Sequence, residues 1–375
     1  MASRRLRALV ANLTLACAAA ALVAALAEAA LRLSGWAPAA FRHTNRIANG
    51  RRTILLDCYP TNPRGELDVD LRDAETRARY RAQGILRVDE AARTTPFAVE
   101  RRYNSAGFRG PEVPPRRAGV ARIGVIGDSF TEGMGVREAD TYPAVLGRLL
   151  EEADPGRFEV FNFGKRGWDF PALYDTFLDV QRFEPDIVIY GMVINDAERT
   201  GAFQAQQEYL NDWILDRGRM FRGREDTPQG LWRLRLAALA RDAWDSYRIG
   251  ATTTRWYCDM YGTPNREGWE RTQVHLREMN RRMQVRGGRF LVALWPLLVG
   301  LESRYPFAEV EATIEQFCLE AGVPFHRLRA AFDGRKTASL WVHPVDRHPN
   351  AMAHRLAAES LARLLLESRE ATTAR

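Results

Sequence analysis

Apolar positions fall into three regimes along the chain. Residues Ala8 to Ala27 are almost continuously apolar, broken only by Asn12 and Thr14. About 20 such residues match the hydrocarbon thickness of a bilayer, so a transmembrane helix is predicted here. From Pro38 to about Arg117 the pattern dissolves into Arg-, Pro- and Gly-rich sequence, with a helical period only around Asp73 to Ala82. From Ala121 onward, short β-branched runs alternate with helical segments, the signature of a parallel sheet covered by helices on both faces.

The strands are predicted at Arg122–Ile126, Phe158–Asn162, Ile187–Met192, Phe290–Trp295 and Val323–His326. Five of them give an α/β three-layer sandwich with a flavodoxin-like five-stranded parallel sheet. Between the third and fourth strands, residues 199–287 are too many for a simple crossover. Helical periods at Leu231–Tyr247 and Trp269–Arg282 make this stretch a helical insertion over one end of the sheet. The chain therefore divides into an N-terminal anchor or signal segment (1–36), a lead-in packing on the main domain (37–120) and the α/β domain (121–375).

Arg4, Arg5 and Arg7 precede the apolar run. By the positive-inside rule they stay in the cytoplasm, which puts the body on the periplasmic or extracytoplasmic side of a single-pass membrane protein. Cleavage after Ala25-Leu26-Ala27 and secretion is the competing reading, but the run is longer than a signal-peptide core of about 7–15 residues. A lipoprotein reading at Cys17 is weaker, because Thr14-Leu15-Ala16 lacks the leucine expected three residues before the cysteine.

The net charge of +7 raises nucleic acid as a partner. Only Lys165 and Lys336 of the 54 basic residues are lysines and the arginines are scattered, so no basic stripe forms and that partner is set aside. Outside the apolar run, Cys58, Cys258 and Cys318 include no CxxC pair, which allows at most one disulfide and offers no metal-ligand spacing. No metal or organic cofactor is called for.

Chemistry concentrates at the predicted strand ends. Gly127-Asp128-Ser129-Phe130-Thr131 follows the first strand, where ligands sit in open α/β sheets. Ser129 there reads as a nucleophile, or more blandly as part of a helix N-cap. Asn162-Phe163-Gly164 ends the second strand, and the Gly164 N–H is a candidate oxyanion donor. Gly191-Met192-Val193-Ile194-Asn195-Asp196 ends the third, with the Asn195 amide as a further donor. Asp346-Arg347-His348-Pro349-Asn350 precedes the last helix, with His348 as general base and Asp346 to orient its ring. Each block alone has an ordinary turn or capping explanation. Their convergence on one edge of the sheet favours catalysis.

With these blocks in this order, the sequence resembles the SGNH/GDSL hydrolase family, including its bacterial membrane-anchored members, which carry a stretch like Asn104-Ser105-Ala106-Gly107-Phe108-Arg109-Gly110. The resemblance implies a serine esterase with a Ser129–His348(–Asp346) acyl-enzyme mechanism and an oxyanion hole from the Ser129 and Gly164 N–H groups and the Asn195 amide. One departure stands out: the family's aspartate lies three residues before its histidine, where this chain has Val345, and Asp346 is two before. His354 is expected on the C-terminal helix in a structural role. An anchored, outward-facing esterase points to a small-molecule ester or to the O-acyl groups of an envelope glycan, with lipid esters and thioesters left open, and Trp168 is a candidate for stacking on sugar rings. The alternatives are an O-acyltransferase using the same site, and a degenerate SGNH domain that binds a glycan or a protein.

Overall fold

The computed structural model describes residues 2–34, 46–49, 52–55, 102–209, 230–343 and 346–373. The helix predicted around Asp73 to Ala82, Cys58 and most of the lead-in lie outside these residues. The first helix, α1 (Ala2–Leu33), contains the apolar run. Within its stretch Arg4–Leu33, an 18-residue window reaches a mean hydropathy of 2.2 with none of that window buried in the body, so the helix is long and apolar enough to cross a membrane. A short antiparallel pair, β1 (Arg46–Asn49) and β2 (Arg52–Leu55), follows.

The domain is built on β3 (Ala121–Gly127), β4 (Phe158–Gly164), β5 (Ile187–Met192), β6 (Arg289–Leu294) and β7 (Phe325–Arg327). They form one parallel sheet in the order β4-β3-β5-β6-β7. All five predicted strands are present. The last begins two residues late, because the Val323 N–H bonds back to Cys318 O in the turn that closes the preceding helix.

Alternate side chains of each central strand enter opposite layers, as the period of two requires. On one face Val188, Tyr190 and Met192 meet α4 (Ala172–Val180), α7 (Arg266–Val285) and α8 (Ala308–Glu320). On the other, Ile187 and Ile189 meet α3 (Tyr142–Ala153) and the C-terminal α9 (Ala351–Thr373). Both faces of a parallel sheet are thereby buried, which explains why β5 is apolar throughout.

The expected insertion of residues 199–287 divides in two. Its second helix, α7, packs on β6 and buries Trp269, Leu276, Met279 and Met283 in the core, so it is the crossover helix between neighbouring parallel strands. The extra material is α5 (residues 201–209) and α6 (Arg235–Asp259). The first turn of α6 has no side-chain cap of its own, Leu234 standing at the N-cap. Its cap comes from α1: Glu28 Oε2 accepts the Leu236 N–H at 2.8 Å. Arg235 Nη1 donates to Leu31 O at 3.1 Å and Arg32 Nη2 to Arg233 O at 3.2 Å. The apolar helix is thus bonded to the insertion.

Candidate active site

The carboxyl ends of three strands present a row of glycines, with Gly127 paired in register to Gly164 on one side and Gly191 on the other. The row leaves room for the turn above it. A Cβ on Gly164 would stand 2.3 Å from Glu132 N, one on Gly127 2.2 Å from Thr131 Oγ1, and one on Gly191 2.1 Å from Tyr142 Oη.

That turn is α2 (Ser129–Glu132), a single helical turn closed by Gly133 in the left-handed region at φ +84°. Asp128 is its N-cap, with Oδ1 accepting the Phe130 N–H at 2.8 Å. Asp128 is therefore the cap and Ser129 the first helical residue, where a helix leaves its N–H groups unpaired. Asn162 ties the turn to β4, donating through Nδ2 to Thr131 O at 2.8 Å.

His348 reaches the turn from a hairpin outside the main sheet, β8 (Trp341–His343) paired with β9 (Asp346–Pro349). Asn350 fixes the hairpin to the body: its Nδ2 donates to Ser339 O and Trp341 O, and its Oδ1 accepts the Ala353 N–H at the start of α9. The result is a 3.0 Å contact between His348 Nε2 and Ser129 Oγ across 219 residues of chain. The Phe130 ring packs beside the imidazole, centroids 5.7 Å apart. The backbone of Asp346 opens β9, opposite His343; its side chain lies outside the described residues.

Asn195, partly exposed at the end of β5, points its Nδ2 to Asp128 Oδ2 at 3.4 Å, and Ser129 Oγ lies 3.4 Å from the same oxygen. Asp128 is a buried carboxyl at the centre of the site, and burial pushes its pKa up, opposed chiefly by the Phe130 N–H. Asp196 turns inward: its Oδ2 accepts Tyr190 Oη–H at 2.7 Å and the Val193 N–H at 2.9 Å, and burial holds it well above the usual carboxylate range.

The expected oxyanion donor Gly164 needs correction. Its N–H already donates to Asn162 Oδ1 at 2.9 Å, and the residue is buried beneath α2. What requires glycine here is the close approach of the α2 backbone, not an exposed donor. Gly167, three residues on, lies exposed at φ +74° with open space where a Cβ would stand, and its N–H has no hydrogen bond among the described residues. Trp168 is half-buried against the core, and the Lys165 ammonium stands 4.6 Å from its ring centroid, so that face is not open to a sugar. His354 is fully buried on α9, accepts the Tyr142 N–H on Nδ1 at 3.1 Å and stacks on the Tyr142 ring, as a structural residue should.

Sequence reasoning passed over three residues that hold this geometry: Tyr103, Arg109 and Glu132. Arg109, 1% exposed, donates through Nη1 to Glu132 O and Gly133 O and through Nη2 to Val136 O. The signal was the turn at residues 104–110, which Asn104 Oδ1 closes on the Ala106 and Phe108 N–H groups. It delivers a buried guanidinium beneath α2.

The profile of the GDSL-like Lipase/Acylhydrolase family matches residues 125–356. No curated protein matches the chain in sequence. Solved structures with a similar course include a putative lipolytic protein of the G-D-S-L family from Desulfitobacterium hafniense DCB-2, at 16% identity and TM-score 0.38 over 65% of this chain and 98% of that one. A catalytic mutant of Axe2, an acetylxylan esterase from Geobacillus stearothermophilus, aligns at 17% identity and TM-score 0.39 over 66% and 95%. TesA aligns at 13% identity and TM-score 0.37 over 64% and 95%.

Proposed function

Because the chain belongs to the GDSL-like lipase/acylhydrolase family, it is a hydrolase of ester bonds, and we propose that it works by two-step acyl transfer through Ser129 and His348. The observation that carries this reading is the 3.0 Å contact between Ser129 Oγ and His348 Nε2 at the carboxyl end of the sheet. His348 takes the serine proton as Oγ attacks the ester carbonyl, then returns it to the leaving alcohol. Water attacks the acyl-enzyme by the same route in reverse. Asp346 holds the His348 ring in the tautomer that accepts the proton.

Charge on the tetrahedral intermediate is met by the Ser129 N–H at the start of α2 and by Asn195 Nδ2. Gly167 N–H, in place of Gly164, completes the set. The substrate is a small O-acyl group of an envelope glycan, reached by a body held on the outer side of the membrane by α1. Support for that last step is the apolar Arg4–Leu33 helix and the arginines at its start.

Turnover of a chromogenic short-chain ester by the full chain in detergent tests the reading. Ser129→Ala is expected to lower kcat below about a thousandth of wild type with the melting temperature unchanged. Higher residual activity would place the nucleophile elsewhere.

A further inference from the structure

Glu132 ends the nucleophile turn, is 3% exposed, and has no part in the acyl-transfer steps. Its carboxylate is engaged at both oxygens by distant parts of the chain. Oε1 accepts Tyr103 Oη–H at 2.7 Å, and Oε2 accepts the Arg166 backbone N–H at 2.7 Å. Two bonds from partners 29 residues before it and 34 residues after it hold this side chain in place.

Arg166 is the residue before Gly167. The bond to Glu132 therefore ties the loop that leaves β4 to the same turn that carries Ser129. Beneath it, Arg109 Nη1 donates to Glu132 O at 3.0 Å and Gly133 O at 2.6 Å, fixing the far end of the turn. On the sheet side, the Lys165 N–H donates to Gly127 O at 2.9 Å. The loop is thus fixed at residues 165 and 166, while Gly167 itself stays open to solvent.

Building on the esterase reading, we propose that Glu132 is a positioning residue that sets the distance of the Gly167 loop from Ser129. A donor fixed before the reaction stabilises developing charge without reorganising, and a shift of about 1 Å in such a donor costs about 10²-fold in rate. Glu132 touches neither substrate nor reacting atoms. Its effect falls on kcat, because the loop donor acts mainly on the tetrahedral intermediate.

The test counts active sites by fluorophosphonate labelling of Ser129 and measures kcat and KM per labelled site in the full chain. Glu132→Ala is expected to lower kcat about 30- to 100-fold with KM within about twofold, and to slow labelling by a similar factor. Glu132→Gln should recover all but about fivefold: its amide oxygen still accepts the Arg166 N–H, and its NH₂ donates to Tyr103 Oη, a hydroxyl that serves in either role. A merely structural role would lower the melting temperature and leave kcat per labelled site alone.

Unchanged kcat per site in Glu132→Ala, or a Gln variant as slow as the Ala variant, overturns the proposal. If Glu132→Ala does not fold, Glu132→Asp, which draws the carboxylate back by one methylene, carries the test. A loss of about tenfold in kcat supports the proposal and no loss overturns it. Wild type that neither labels nor turns over ester would instead overturn the underlying esterase reading, and the positioning role with it.

Discussion

His354 offers a prediction in which burial sets a measurable pH dependence. The imidazole is fully buried between Tyr142 and Trp295, and its Nδ1 accepts the Tyr142 N–H, so the folded ring is neutral with its proton on Nε2. Burial, with the nearby charges of Arg109 and His348, brings its pKa down from 6.5 to about 3. The unfolded chain therefore binds more protons than the folded one at every pH between those values, and stability falls as pH falls through that window. Each unit of pKa difference is worth about 1.4 kcal/mol, so the loss from this residue is about 2 kcal/mol at pH 5 and between 4 and 5, roughly, at pH 3. The variant to compare is His354→Asn, which keeps an acceptor near the Tyr142 N–H and has no proton to gain. Urea denaturation of both proteins in detergent at pH 7 and pH 5 gives the drop for each, and the wild type should lose about 2 kcal/mol more. The variant's lower absolute stability, from the lost ring, cancels in this difference. Drops equal to within about 0.5 kcal/mol would refute the buried neutral imidazole.

Three further outcomes bear on the site itself. Asn195→Ala should lower kcat by about 10²–10³ with little change in KM, as for a donor that acts on the intermediate; a pure KM effect would make Asn195 a substrate-binding residue. Asp346→Asn should lower kcat by more than about a hundredfold with ester binding intact, and a loss under about tenfold would leave His348 oriented by another group. Gly164→Ala should cost roughly 1–3 kcal/mol or more through its clash with the α2 backbone, seen as a lowered melting temperature, whereas a stable, fully active variant would show that α2 has room to rise.

The sheet was legible because its strands are short, β-branched and separated by helical periods; Ser129 was legible as a candidate because its block lies at a strand end, and His348 because its block precedes the last helix, and the fold brings the two to 3.0 Å. Three things were hidden for identifiable reasons. The role of α7 depends on which neighbour its apolar face meets, and its period is the same for a crossover as for a cap. The donor Gly164 was misplaced because a glycine in sequence shows permission for an unusual backbone and not whether its N–H is free; Asn162, two residues earlier, takes it. Arg109 and Glu132 were missed because charged residues are ordinarily solvated, and only the folded contacts of the 104–110 turn reveal them as buried.

The row formed by Gly127, Gly164 and Gly191 carries a consequence for how such an enzyme adapts. The α2 turn rests at its height because atoms are missing beneath it, and every single substitution in the row adds one. Nothing there offers a gradual path to a different substrate, so variation must be absorbed where the scaffold leaves slack. Residues 201–209 and α6 are the natural place: they add material between β5 and the crossover helix without entering the row, and apart from core residues such as Phe203 and Trp256 they can vary while the chemistry stays fixed.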